Sequence, residues 1–330
     1  MVLVCGGAGF IGSHTTKALR EAGTPHVVLD NLSKGHVAAV HGSRLVTANI
    51  GDYEAVVSAI RDHGVTTMMH FAASIEVGES VVDPAAYWAN NVLSVHALLE
   101  AARETGVQNF IFSSTAAVYG EPQGVPIPES HPKAPTNPYG HTKLAAEQMV
   151  SDYGRAYGLR SVILRYFNAA GADPDGSLGE DHQPETHLIP RILLAVLGRS
   201  PQVSIFGTNY DTPDGTCIRD YVHVRDIALG HVLALKHLES GGDSRIYNLG
   251  HGVGHSVRQV IDAASKVVGK TLQIVESPRR PGDPARLVAD SRAIREELGW
   301  RPEWPDIADM VKHAFTWFAS HPTGYGDRSN

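Results

Sequence analysis

The chain is short of cysteine, of long apolar runs and of positive charge, and each shortage removes a class of function. Two cysteines, Cys5 and Cys217, in 330 residues cannot build a disulfide framework. That fits a reducing compartment, so the cytoplasm is the expected location, and neither thiol sits in a pattern that suggests a nucleophile. No uninterrupted apolar run reaches the ~18 residues of a membrane span, and the first residues enter a strand-like run with no basic leader before it. No membrane partner is expected. A formal net charge of -7 without any basic run argues against a nucleic-acid surface, and so no nucleic-acid partner is expected either. What remains is a globular chain whose 42% hydrophobic content suffices for one or two sizeable cores.

Its opening is rich in glycine. Val2 to Cys5 reads as a short buried strand, Gly6-Gly7-Ala8-Gly9-Phe10-Ile11-Gly12 as a tight turn, and Ile11 to about Ala22 as a helix. Glycines at Gly6, Gly9 and Gly12 permit the turn and a close backbone approach, and the helix start offers free N–H groups and a positive dipole end to a pyrophosphate. The spacing is G-x-x-G-x-x-G rather than the commoner G-x-G-x-x-G. A second strand, about His26 to Leu29, ends in Asp30, where a carboxylate accepts ribose hydroxyls and repels a 2′-phosphate. NAD is therefore expected over NADP.

Tyr139 and Lys143 stand four residues apart after Pro135-Thr136-Asn137-Pro138. Positions i and i+4 share a helix face, so a phenol and an ammonium there can meet one substrate hydroxyl and one cofactor ribose. A cation beside a phenol favours phenolate and is expected to draw its pKa from ~10 toward working pH. Ser113, Ser114 and Thr115 close an apolar strand, and Thr115 is the expected catalytic hydroxyl.

Strand-like and helical runs alternate: Arg44 to Ala48, a helix near Asp52 to His63, Thr67 to His70, a long helix near Ala85 to Glu104, Asn109 to Phe112, the Tyr139 helix, and Ser161 to Leu164. This rhythm predicts an α/β fold with a Rossmann-type doubly wound parallel sheet over residues 1–169. Past Asn168, Gly- and Pro-rich loops between shorter elements predict a smaller mixed α/β substrate-binding lobe over 170–330, with some crossing of the chain between lobes. The four tryptophans, Trp88, Trp300, Trp304 and Trp317, are expected in packing. No metal site is expected: His251 and His255 are separated by glycines and lack cysteine or acidic partners.

Ordered segments along nearly the whole chain carry a family resemblance. They include the glycine turn, Asp30-Asn31-Leu32, His70-Phe71-Ala72-Ala73, Val77-Gly78-Glu79-Ser80, Asn90-Asn91-Val92, Ser113 to Gly120, Arg165-Tyr166-Phe167-Asn168, Arg219-Asp220-Tyr221, Tyr247-Asn248-Leu249-Gly250 and Arg280-Pro281-Gly282-Asp283. On these the sequence resembles the extended short-chain dehydrogenases/reductases, and among them the UDP-glucose 4-epimerases. The resemblance implies inversion of C4 of a UDP-hexose through a transient 4-keto sugar and a bound NAD, with a homodimer built through the helices near Ala85 to Glu104 and Asn137 to Tyr157. The alternatives are a 4-epimerase of UDP-N-acetylhexosamines, UDP-pentoses or UDP-uronates, and a non-catalytic NAD-sensing protein.

The same resemblance assigns the site. Tyr139, Lys143 and Thr115 would carry catalysis. Gly6, Gly9, Phe10, Ile11, Gly12, Asp30, Asn31, Asn49, Ile50, Phe71, Ala72, Ala73, Asn90, Ser113 and Tyr166, with Tyr139 and Lys143, would hold NAD. Thr115, Tyr139, Asn168, His187, Leu188, Phe206, Arg219, Arg280, Asp283 and Leu287 would hold the UDP-sugar, Arg219 and Arg280 facing its diphosphate by the fork geometry of guanidinium. Ala116 and Ala117 occupy the places where related dehydratases and decarboxylases carry acids, which points to epimerisation alone. Ile75 replaces a lysine near the cofactor, Asn49 an aspartate near adenine, and Leu287 stands at the gate for the sugar 2-substituent, where bulky tyrosine excludes N-acetyl sugars.

Overall fold

The computed structural model describes residues 1–280 and 282–327, so Pro281 of the Arg280 segment lies outside the described residues. The first part of the chain lays down β1 (Val2–Cys5), α1 (Phe10–Glu21), β2 (His26–Asp30), β3 (Leu45–Thr47), α2 (Tyr53–His63) and β4 (Thr67–His70). It continues through α3 (Val77–Val82), α4 (Pro84–Trp88), α5 (Ser94–Thr105), β5 (Asn109–Thr115), α6 (Pro138–Tyr157) and β6 (Arg160–Tyr166). The second part supplies β7 (Asn168–Ala170), α7 (Leu188–Val196), β8 (Val203–Phe206), β9 (Ile218–His223), α8 (Val224–Glu239), β10 (Arg245–Leu249), β11 (Gly254–Ser256), α9 (Val257–Val268), β12 (Ile274–Ser277), β13 (Arg286–Leu287), α10 (Arg292–Glu297) and α11 (Ile307–Ser320).

The main sheet has seven strands in the order β10-β6-β5-β4-β1-β2-β3, every neighbour pair parallel. Its central strands are continuous apolar runs because helices cover both faces: all four residues of β1 and of β4 are buried. Order reverses between β1 and β4, and the crevice beyond the carboxyl ends of those strands is where an open α/β sheet binds ligands. The expected crossing between lobes takes a definite form. β10 joins β6 as a parallel edge strand, and Ile227, Leu235 and Leu238 of α8 pack with Val4, Ile111 and Leu164 of the sheet. Two segments beyond residue 170 thus belong to the Rossmann layer.

The single helix expected near Ala85 to Glu104 is interrupted. One π-turn, Ala89–Leu93, separates α4 from α5. The extra residue turns Asn91 inward, where its amide donates to Ser74 O (2.9 Å) and Thr142 Oγ1 (3.1 Å) and its carbonyl accepts the Ser74 N–H (2.8 Å). That ties α4 and α5 to α6 and to the loop after β4. α6 itself starts cleanly: the Asn137 side chain accepts the Gly140 N–H at 2.9 Å, and Pro138 fills the first helical position.

In the second lobe β9 is central, with β11 antiparallel on one side and β13 and β7 parallel to it. Ile192, Leu193, Val260, Ile261, Met310 and Trp317 from α7, α9 and α11 build its core. Trp300 and Trp317 are buried as expected of packing residues, but Trp88 is 43% exposed, since α4 turns its outer face away from the sheet.

Candidate active site

The glycine turn is closed by its own backbone. A Cβ on Gly12 would stand 2.1 Å from Gly6 O, and one on Gly6, whose φ is +79°, would stand 2.5 Å from Ala72 N. Neither position accepts a side chain, so the turn lies flat on the carboxyl ends of β1 and β4. At Gly9 the nearest atom is 3.5 Å away, which leaves the outer surface of the turn open. α1 begins there with no side-chain cap and no acidic residue in its first turn, so its leading N–H groups face outward unpartnered by the chain. This is a surface shaped for a pyrophosphate, and NAD fits it. Asp30, buried at the end of β2, accepts the Ala8 N–H (3.0 Å) and the Leu32 N–H (2.8 Å), which aims its carboxylate along the turn. Asn31 Oδ1 is engaged by Ser33 and Asn49 Oδ1 by Gly51 N–H (2.8 Å), while Ile50 is buried. Asn90 donates to Ser74 Oγ at 3.1 Å, and Phe71, followed by Ala72 and Ala73, packs on the His231 ring at 4.6 Å.

Tyr139 and Lys143 occupy successive turns of one face of α6, opposite the end of β5. The Thr115 hydroxyl stands beside the phenol and Ser113 beside the Tyr166 hydroxyl, each favouring the charged form of its neighbour. Lys143 is only 3% exposed, with its ammonium 4.5 Å from the centroid of the Phe112 ring. Here the expected acidification of the phenol needs correction. Burial dominates: it pushes Tyr139 up to about 12 against the lowering effect of Thr115, and the Glu76 carboxylate pushes it further the same way. Burial also brings Lys143 down to about 7, so the cation that was to draw the phenol down is itself half discharged near neutrality. Positive charge placed in the crevice favours the phenolate.

Two features escaped the sequence reading. Glu147, one turn beyond Lys143 on the same face, forms a two-pronged buried pair with Arg165 of β6 (2.6 and 2.9 Å) and accepts from Ser114 Oγ. Arg165 also donates to Tyr119 Oη (3.0 Å), which donates to Asn248 of β10 (2.7 Å). The catalytic helix is thereby clamped to β5, β6 and β10. The i+4 spacing of Lys143 and Glu147 was visible in the sequence; the partner was not. Glu76, before α3, accepts from Thr186 Oγ1 at 2.7 Å and so joins the edge of the crevice to the second lobe.

The second-lobe residues gather on two sides. Arg219 on β9 is paired with Asp283, so the residue expected on the diphosphate and the one expected on the uridine ribose hold each other. Arg280 lies 4.0 Å over the Phe206 ring at the end of β8. Leu287 stands beside Arg219 in register and packs against the cluster of Ala116, Val118 and Phe167. Asn168 on β7 pairs with Tyr221 of β9. His187 caps α7 and Leu188 opens it, but His187 Nδ1 is held by Glu180 (2.7 Å) and Glu185 (3.2 Å) rather than left open to a phosphate.

The model of the NAD dependent epimerase/dehydratase family matches residues 2–250. The chain belongs to that family. UDP-glucose 4-epimerase of Halalkalibacterium halodurans is 50% identical over 98% of this chain and 97% of its own. Among solved structures, UDP-glucose 4-epimerase from Brucella ovis in complex with NAD superposes with a TM-score of 0.94 at 49% identity, covering 96% of this chain and 98% of that one. The Bifidobacterium longum enzyme in complex with NAD+ and UDP superposes at 0.93 with 37% identity, covering 98% and 99%. The match to the family model ends just past β10, so the matched stretch holds the whole seven-stranded sheet and the Tyr139 helix, while Arg280, Asp283 and Leu287 lie beyond it.

Proposed function

We propose that this protein interconverts UDP-glucose and UDP-galactose, inverting C4 of the hexose through a 4-keto sugar with NAD kept in place. The observation that carries the reading is the Tyr139 phenol set beside the Thr115 hydroxyl at the carboxyl end of β5, one turn from buried Lys143, with no acid at Ala116 or Ala117 to expel water. Identity of about half over full length with UDP-glucose 4-epimerases supports the substrate.

Bound NAD+ supplies the hydride acceptor for C4 and the donor that returns it. The chain's own residues move the proton and hold the partners. Tyr139 Oη takes the proton of the C4 hydroxyl as that carbon becomes a ketone and gives it back after the sugar has turned its other face. Thr115 Oγ orients both oxygens. Lys143, whose buried ammonium is readily discharged, adds positive charge beside the phenol when protonated. The glycine turn and α1 hold the pyrophosphate of the dinucleotide, and Asp30 its adenine ribose. Arg219, Arg280 and Asp283 take the UDP portion, with Arg219 exchanging its Asp283 partner for phosphate oxygens. Enclosure matters chemically, because a released ketone would end the cycle.

Incubation with UDP-galactose and chromatography of the products tests the reading: UDP-glucose accumulates to an equilibrium mixture without added NADH. An unchanged substrate with folded, NAD-loaded protein would point instead to a nucleotide-sensing role.

We also propose a homodimer. Val81, Val82, Trp88 and Leu93, exposed by 63%, 86%, 43% and 66%, line the outer side of the α3 to α5 stretch. Such a run of apolar side chains is unusual on a monomer. Light scattering at twice the chain mass, reduced to the chain mass in Leu93→Glu, is the expected outcome. The free, buried Cys5 and Cys217 suit a reducing cytoplasm.

A further inference from the structure

Glu180, His182, Glu185 and His187 lie on the loop between β7 and α7 and bring their donor atoms together. His182 Nδ1 and His187 Nδ1 stand 3.1 and 2.7 Å from Glu180 Oε1, His187 Nδ1 is 3.2 Å from Glu185 Oε1, and Glu185 Oε2 is 3.9 Å from His182 Nδ1. One ligand atom from each of the four lies within 4.8 Å of the others. The carboxylates are withdrawn from water, with side-chain exposures of 4% for Glu180 and 7% for Glu185. A second feature points to a missing partner: Glu185 Oε2 is buried and accepts no hydrogen bond. An unpartnered carboxylate oxygen out of water is costly, and proteins leave few of them.

The expectation of no metal site rested on His251 and His255. The cluster escaped because its donors alternate between two residue types across a proline. We propose that these four side chains form a structural site for one first-row divalent cation, zinc fitting best. Two imidazole nitrogens and two carboxylate oxygens suit zinc better than magnesium or calcium, which prefer oxygen alone. Four protein ligands also make a closed site, which is the structural and not the catalytic type.

Its position gives the ion work to do. The Trp317 indole N–H donates to Glu180 O at 3.1 Å, which fastens one end of the loop to α11. Thr186 Oγ1, between two of the ligands, donates to Glu76 Oε2 at the crevice edge, and His187 leads directly into α7. A cation here fixes the loop that joins the second lobe to the crevice. It takes no part in proton or hydride transfer, and zinc binding is read without substrate, so its failure and that of the epimerase reading are distinguishable even though His187 is also expected at the UDP-sugar.

The test uses full-length protein purified without a polyhistidine tag, stripped with EDTA and titrated with zinc chloride by calorimetry, with elemental analysis after gel filtration. One zinc per chain is expected. At a free zinc concentration of 100 Kd the melting temperature rises by ~3 °C or more, and magnesium at the same concentration does nothing. Glu185→Gln and His182→Asn each weaken zinc binding by at least ~100-fold, since even outer-shell changes cost 10–100-fold. His251→Gln leaves it unchanged. Should Glu185→Gln lose its far-ultraviolet circular dichroism, His182→Asn, at a side chain 18% exposed, carries the test. Wild type holding less than a tenth of an equivalent, or variants binding as tightly as wild type, would overturn the proposal and leave the cluster a set of ion pairs.

Discussion

The Thr115 hydroxyl stands beside the Tyr139 phenol while its oxygen accepts the Ala117 N–H at 3.1 Å, so the last residue of β5 is held facing that phenol. Thr115→Val keeps the shape and removes the donor. A hydrogen bond to a group that becomes charged is worth ~1.5–3 kcal/mol, so kcat should fall by ~10- to 100-fold with KM little changed, and Thr115→Ser should recover most of it. Steady-state kinetics on UDP-galactose checks this. A Thr115→Val enzyme at wild-type rate would remove Thr115 from the mechanism.

Lys143 sets a pH dependence of stability. Its value in the folded chain is about 7, below the ordinary 10.5, so between those two values the unfolded chain binds this proton and the folded chain does not. Stability therefore rises with pH through that window, and the penalty of the buried ammonium is fully present below pH 7. Lys143→Met removes it. Denaturant titrations of the two NAD-free proteins should show the variant more stable by a few kcal/mol at pH 6.5 and the gap closing by pH 10. A constant gap would mean that the ammonium is solvated in the native state.

Glu147→Gln leaves Arg165 buried without its charge partner. Both side chains are nearly withdrawn from solvent, at 4% and 1%. Breaking such a pair costs ~3–5 kcal/mol, whereas replacing both members by apolar residues is far milder. Urea denaturation should show the loss in Glu147→Gln and a partial recovery in Glu147→Leu combined with Arg165→Met. Equal stability of wild type and Glu147→Gln would show the clamp on α6 to be unimportant.

Much of the site was legible because its signals are local. Gly6 to Gly12, Asp30 and the Tyr139–Lys143 spacing specify a turn, a strand end and a helix face within a few residues each, and the structure puts all three at the switch of strand order between β1 and β4. The failures are tertiary. The sequence placed a cation beside a phenol, but only packing decides that both are desolvated and that their pKa values move apart. The π-turn at Ala89–Leu93 follows from Asn91 reaching Ser74 and Thr142, contacts across the fold that no helical period records. Crossing between the lobes was expected, but not which strand makes it, because strand order in a sheet is not sequence order. Arg219 and Asp283, 64 residues apart, hold each other, a pairing that no local spacing records.

We propose that Leu287 gates the sugar. It lines the same cluster as Ala116 and Phe167, beside Arg219 in register, and leucine is smaller than the tyrosine that excludes N-acetyl groups by resemblance. The wild-type protein should turn over UDP-N-acetylglucosamine measurably but less well than UDP-glucose. Leu287→Tyr should lower the ratio of the two kcat/KM values by at least ~10-fold, the scale of a steric mismatch in a pocket. An unchanged ratio would move the gate elsewhere.

The central claim is that one nicotinamide, held through the cycle, takes and returns the hydrogen of C4 while Tyr139 manages the hydroxyl proton. Conversion of UDP-galactose deuterated at C4, followed by mass spectrometry of the UDP-glucose formed in ordinary water, tests it most directly. Full retention of the deuterium is predicted, with Tyr139→Phe slowing conversion and leaving retention unchanged. Exchange of that deuterium with solvent would contradict the account.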